Sequence, residues 1–203
     1  MTAQIGKREA AKQAKRKRIL EEATYLFSSR GYKETTIQKI AEASEISFGS
    51  VFTYFETKEK LLEAAILEPL EEVRNHLLVI DYETEDVLGE LRRLISRNIQ
   101  LFSTNRVYLQ LIQQVLGRPE SHEEYEEIAR VLDNFFNEFV QKVIPLIEKG
   151  QQQGRLKTQD PEVIAMAYFG FLNGIRLTMG LDEDHILWEK FIEPAYQLFG
   201  PIE

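Results

Sequence analysis

Residues 35–55 read TTIQKIAEASEISFGSVFTYF, with GYKE before them and ETKEKL after. Two short helical patterns stand here on either side of a polar break. Thr35 is placed to cap the first helix, and Gln38 three residues later completes a capping-box pattern. Ile37, Ile40 and Ala41 then recur at helical spacing. Ser44 and Glu45 interrupt, Ile46 turns back inward, and Ser47 is placed to cap a second helix. Val51, Phe52 and Phe55 are expected on the inner face of that helix, with Ser50 and Thr53 pointing out. Helices of about two turns are not stable alone in water, so a third must hold them. The apolar pattern over residues 19–29 supplies it. The layout is that of a helix-turn-helix, which presents the start of its second helix to the major groove.

Charge supports this. The chain carries a net charge of −8 over 203 residues, which by itself disfavours nucleic acid. The charge is unevenly spread: residues 1–60 hold 12 Lys/Arg against 8 Asp/Glu, and residues 61–203 hold 13 against 25. A basic end on an acidic body concentrates attraction for phosphate at one place. The run Lys12, Lys15, Arg16, Lys17, Arg18 precedes the first apolar positions of helix one and is expected to form a phosphate-contacting arm.

The remaining chain reads as helices. The first is expected over 12–29, stopped by Gly31, and the next two over 36–43 and 48–55. Thr57 caps a fourth over 58–79 that contains Pro69, where a kink is expected. Thr84 opens a fifth running to 103, and a sixth spans 106–116. Ser121-His122-Glu123-Glu124 is a capping box for a seventh, which passes Pro145 and ends at Gly154. Asp160-Pro161 starts an eighth, and a ninth covers 184–199. The predicted class is all-α, with about nine helices. Two parts are expected: a helix-turn-helix DNA-binding domain over 1–57 and an effector-binding and dimerisation domain over 58–203.

Several chemistries are excluded. There is no cysteine, hence no disulfide framework or thiol nucleophile. His76, His122 and His185 have no metal-ligand spacing, so no metal and no cofactor are expected. No nucleophile elbow, phosphate-binding glycine loop or dinucleotide fingerprint occurs, and an enzyme is not expected. The longest charge-free apolar stretch, 163–175, is too short for a membrane span of roughly 20 residues, and the N-terminus lacks a signal-peptide core. The expected location is cytoplasmic.

Residues 18–62, RILEEATYLFSSRGYKETTIQKIAEASEISFGSVFTYFETKEKLL, resemble the DNA-binding domain of the TetR family of transcriptional regulators. The shared pattern runs I-L-x-x-A-x-x-L-F-x-x-x-G-Y, T-T-I-x-x-I-A, S-x-G-S-V-F-x-Y-F and x-x-K-x-x-L. The resemblance implies a homodimeric regulator, expected to be a repressor, that binds a pseudo-palindromic double-stranded DNA operator and is released by a small, largely apolar effector. A helical small-molecule carrier or interaction module of the same fold is the alternative. Carried over residue by residue, the DNA-binding positions are Lys15, Arg18, Thr36, Lys39, Ser47, Phe48, Gly49, Ser50, Thr53, Tyr54 and Lys58. Thr36 and Tyr54 match positions that approach the DNA backbone, and Lys58 begins helix four, where ammonium and helix N-terminus can share one phosphate. Two departures stand out. Glu45 occupies a turn position where the family often has Gly, so a different turn geometry is expected. Phe48 replaces a frequent Lys or Arg, leaving no basic residue over 47–55. Arg–guanine readout is then unavailable from this helix; the hydroxyls of Ser50, Thr53 and Tyr54 remain, with contact between Phe48 and a thymine methyl, and together they point to half-sites containing A·T.

In the C-terminal half, helix eight is apolar nearly all the way round and must bury more than one face. Ala167, Gly170 and Gly174 are spaced for close helix approach. With helix nine they are expected to form the four-helix dimer interface that the family uses, through Ala167, Phe171, Gly174, Ile175, Phe191, Ala195 and Leu198. The ligand pocket implied by the resemblance is expected at Phe102, Tyr108, Ile112, Gln113, Phe135, Phe139, Phe169 and Asn173.

Overall fold

The computed structural model describes residues 2–116, 125–178 and 185–202. Among them all regular structure is helical: α1 (Thr2–Arg30), α2 (Ile37–Ala43), α3 (Phe48–Val51), α4 (Lys58–Leu77), α5 (Val87–Thr104), α6 (Arg106–Leu116), α7 (Glu126–Gln152), α8 (Pro161–Thr178), α9 (His185–Glu189) and α10 (Ile192–Gln197). The chain divides into two compact units, Met1–Leu70 with Gln110–Ile128, and Glu71–Leu109 with Ala129–Glu203. The capping box expected at Ser121 lies outside the described residues.

In the first unit α1 turns Ile19, Ala23, Leu26 and Phe27 inward, a stripe at helical spacing. Ile40 and Ala41 of α2, Val51, Phe55, and Leu61, Leu62 and Ile66 of α4 complete this core. The helix begins ten residues earlier than the expected start at Lys12. The Ala-, Lys-, Arg- and Gln-rich stretch before Ile19 consists of strong helix formers, so helix propagates through the basic run without a buried face to hold it. The basic run thus lies within the helix, largely exposed. Gly31, at φ 79°, ends α1 in a left-handed conformation.

Threonines 35 and 36 divide the work differently from expectation. Thr36 is the cap of α2, accepting from the Lys39 N–H at 3.2 Å. Thr35 is fully buried, with its Oγ1 within reach of the carbonyls of Leu26 (3.0 Å) and Gly31 (2.9 Å). It ties the start of α2 to the end of α1, and Gln38 donates to Glu42 (2.7 Å) instead of closing a capping box. Thr57 caps α4 as expected, accepting from the Lys60 N–H at 3.1 Å.

The second unit packs α9 and α10 on α5, and α5 on α8. Leu91, Leu94, Ile95 and Phe102 of α5 and Phe139, Val143, Leu146 and Ile147 of α7 are buried, as are Tyr168, Leu172, Trp188 and Phe199. The cap of α5 is Asp86, which accepts from the Gly89 N–H at 2.9 Å, while Thr84 accepts from Asp86 N–H one step earlier. Asp160 caps α8 through the N–H groups of Glu162 and Val163. The single helix expected over 184–199 is interrupted at Lys190 and Phe191. Pro194 explains the break: it offers no N–H to the carbonyl four residues earlier, and its ring crowds that turn. No helix among the described residues is long and apolar enough to cross a membrane.

Candidate nucleic-acid interface

The turn between α2 and α3 is a Schellman motif. Ile46 N–H bonds to the Ala41 carbonyl (3.0 Å) and Glu45 N–H to the Glu42 carbonyl (3.1 Å). This closure requires a left-handed residue after the helix cap, and Glu45 adopts it at φ 56°, the only non-glycine with positive φ among the described residues. The turn geometry is therefore the one glycine favours, and the expectation of a different backbone is corrected. The cost is the crowding of a Cβ against the following carbonyl. The Glu45 carboxylate reaches back to Arg18 at 3.0 Å. A hydrogen bond from Arg18 holds the Glu45 carboxyl below the usual carboxylate range, and the same bond raises the guanidinium.

Ser47 has the backbone of a cap, but its hydroxyl makes no cap hydrogen bond and lies 2.6 Å from Ser50 Oγ. Regular helix covers Phe48–Val51, and further turns carry the backbone to Phe55 through Tyr54 N–H and Phe55 N–H on the Val51 carbonyl. Val51 and Phe55 are buried as expected; Phe52 is not. It is 41% exposed and Phe48 49%, with the two rings edge to face at a centroid separation of 5.2 Å. Four residues apart, they share one edge of the helix, so Phe52 belongs to the surface and not to the core. Thr53 and Gly49 are exposed, and Ser50 and Tyr54 half-exposed. A Cβ built on Gly49 would meet nothing within 4 Å, so the free chain itself has no need of glycine there.

The cations around this element fall into two groups. Arg16 is paired with Glu68 and stacks over Phe55 (5.0 Å), Lys17 faces Glu21 (3.7 Å), and Arg18 is held by Glu45. Lys12 and Lys15 are exposed and have no ion pair among the described residues. Lys39 donates to the Glu34 carbonyl at 2.9 Å. Lys58 lies 3.9 Å above the Tyr32 ring, and burial pushes its ammonium below the ordinary lysine range while Glu59 opposes that shift. Tyr32 in turn donates to Glu59 at 2.6 Å. The aromatic base under Lys58 and the carboxylate behind Arg18 carried no signal in the sequence.

The expected ligand residues are distributed over both units. Phe102, Tyr108, Phe135 and Phe139 are buried in the second, where Phe169 and Asn173 are half-buried; Ile112 and Gln113 are half-buried in the first. Phe169 lies 4.9 Å from Phe136 and 5.0 Å from Phe139, and Asn173 donates to the Phe169 carbonyl at 2.9 Å. Sequence reading missed Asn98, fully buried and donating to Tyr168 Oη at 3.1 Å. Its place on the apolar face of α5, between Ile95 and Phe102, was the available clue. Of the expected interface residues, Ala167 is exposed, and Phe171, Gly174, Phe191 and Leu198 are half-buried, with Phe171 and Phe191 6.3 Å apart. Ile175 and Ala195 are buried within the single chain, which makes them core and removes them from a surface stripe.

Residues 19–65, spanning the whole of this element, match the family model described as bacterial regulatory proteins, tetR family. That stretch is a TetR-family DNA-binding domain. It is 25% identical over 181 residues to an uncharacterized HTH-type transcriptional regulator, YhgD, of Bacillus subtilis strain 168, covering 87% of this chain and 85% of that protein. It is likewise 25% identical over 176 residues to the HTH-type transcriptional repressor AcnR of Corynebacterium efficiens, covering 83% of this chain and 87% of that one. Among solved structures, AibR in complex with isovaleryl coenzyme A and operator DNA superposes with a TM-score of 0.72 at 22% identity, over 93% of this chain and 100% of that one. That likeness is one of fold. TetR-family proteins of this kind are transcriptional regulators, not enzymes.

Proposed function

We propose that this chain is a homodimeric TetR-family repressor that binds a pseudo-palindromic operator and is released by a small, largely apolar effector. Residues 1–57 act as the reading head and residues 58–203 as the effector-binding and dimerisation body, in the cytoplasm. The observation that carries this reading is the exposed outer surface of α3 and the turn after it, Phe48, Gly49, Phe52 and Thr53 with half-exposed Ser50, set by a closed turn on a buried Val51 and Phe55. AcnR, similar over most of its length, is named a repressor, and the AibR structure holds both isovaleryl coenzyme A and operator DNA. The effector is placed among Phe136, Phe169 and Asn173, where half-buried rings leave apolar surface beside an amide. Such an effector acts only through its different affinity for two states, and about 5.5 kcal/mol of preference reverses a 99:1 equilibrium.

Binding to a duplex spanning the gene's upstream region, titrated against salt, is the test. Two chains per site and a steep negative slope of log K against log salt are expected, with Lys15→Gln reducing the slope by about 0.9 for each phosphate that the lysine no longer neutralises. Affinity no better than for random duplexes would leave the carrier reading standing.

Glu45 allows a second measurement. Glu45→Gly removes the Cβ from a left-handed residue and frees Arg18 together. A Tm higher by roughly 2–4 °C is expected, with a salt slope steeper by about 0.9 as Arg18 gains a phosphate. An unchanged slope would mean that Arg18 stands clear of DNA.

A further inference from the structure

The aromatic pair Phe48 and Phe52, at the start of α3 and on its C-cap, lies outside the core. Phe48 and Phe52 leave about half of their ring surface in water, and each has the other as its aromatic neighbour in an edge-to-face contact at 5.2 Å. The adjacent Gly49 carries no side chain to shield them, and the nearby hydroxyls of Ser47 and Ser50 are turned to each other at 2.6 Å. Residues 47–55 contain no Lys, Arg, Asn, Gln, Asp or Glu. The side chains that pair bidentately with guanine or adenine, and the carboxylates that accept from cytosine, are therefore missing from this element. Beside the hydroxyls of Thr53 and Tyr54, what remains on offer is the apolar surface of the two rings, and the major groove carries one apolar feature, the C5-methyl of thymine.

Resting on the DNA-binding reading above, we propose that Phe48 and Phe52 form a two-ring reader of thymine methyl groups and set the sequence specificity of each half-site. The two ring centroids stand 5.2 Å apart, near enough for the rings to touch methyl groups on neighbouring base pairs stacked about 3.4 Å apart. The recognised feature is thus a run of at least two thymines in the major groove, and hydrogen bonding to the bases contributes little. The excess positive charge of residues 1–60 supplies affinity without sequence preference, so the rings can specify while the cations hold. Edge-to-face packing of one ring on the other keeps both in fixed positions, which costs less entropy on binding than two independent side chains would.

The experiment starts from the full chain and a random-sequence duplex library. After selection, the recovered duplex is compared with one in which deoxyuridine replaces thymidine in the half-sites, which deletes the methyl groups and leaves Watson–Crick pairing intact. The selected half-sites should contain adjacent thymines. Each deleted methyl that a ring touches should weaken binding about fourfold, the fold-change for one buried CH₂. The double variant F48S F52S, altered only at exposed positions, should bind thymidine and deoxyuridine duplexes alike while keeping its salt slope. Half-sites without thymine, equal affinity of the wild type for both duplexes, or discrimination that survives in F48S F52S would each overturn the proposal. Equal affinity with an intact salt slope would do so while the DNA-binding reading stands. Binding of F48S F52S indistinguishable from wild type would assign the rings to a protein partner instead. Absence of salt-dependent binding to any duplex would overturn both.

Discussion

A variant with carboxylates at two exposed positions of α8, Met166→Glu with Leu177→Glu, is expected to be monomeric and to bind a two-half-site duplex about 10²–10⁴-fold more weakly. The helix surface gives the reason. Val163 is 58% exposed, Met166 47% and Leu177 72%, and Ala167, Gly170 and Gly174 lie between them. A Cβ at Gly170 or Gly174 would meet nothing within 4 Å, so packing inside the chain does not demand small residues at either position. Apolar residues turned to water around small ones leave room for another helix to approach closely. A carboxylate buried there without a partner costs several kcal/mol, more than a helix contact can recover. Both substituted side chains are exposed, so the fold of the single chain should be unaffected, and far-UV circular dichroism checks this. Light scattering coupled to size exclusion gives the mass. A dimer that survives both charges would move the interface elsewhere, and the operator reading would then need another source of two-fold symmetry.

How much of this was legible in the sequence depended on the range of the forces involved. The reading head was legible because its signals are local: apolar residues at helical spacing, a polar break, and Gly31 after the last turn of α1. Two threonines in a row made the cap ambiguous. Both can accept from the first-turn N–H groups, and the choice fell to Thr36 only because Thr35 found two carbonyls at the end of α1. Phe52 was placed inside on hydropathy, yet Val51 and Phe55 already fill the narrow buried face of so short a helix. Glu45 shows the reverse: the backbone closed as a glycine would have closed it, and the side chain then found Arg18, 27 positions away. The interrupted C-terminal helix was within reach, since Pro194 is plain in the sequence and its effect falls on the preceding turn. The Asn98–Tyr168 contact joins residues 70 positions apart and has no local signature. The expected pocket and interface residues depend on a ligand and a second chain, which no intrachain periodicity encodes.

Phe139→Ala is expected to destabilise the protein by about 3–5 kcal/mol. Phe139 is fully buried on α7 and lies 5.0 Å from the Phe169 ring and 5.9 Å from Tyr168, which itself lies 5.1 Å from Phe199. Removing the central ring takes packing from both Tyr168 and Phe169, and the backbones of α7 and α8 hold the surrounding side chains apart, so the space left cannot collapse. Domains of ordinary stability have about 5–15 kcal/mol in total, so this loss is a large share. Phe169→Ala makes the contrast. Its ring is half-buried, so a smaller loss is expected, on the order of 1–2 kcal/mol, in keeping with partial burial of an aromatic side chain. Urea midpoints of the two variants, taken with the unfolding slope, measure the difference. If the aromatic cluster is also where the effector binds, Phe169→Ala should keep DNA binding and lose its relief by effector, whereas Phe139→Ala should lose both through unfolding. Equal midpoints would show that Phe139 is not the centre of this core, and effector relief intact in Phe169→Ala would move the effector away from these rings.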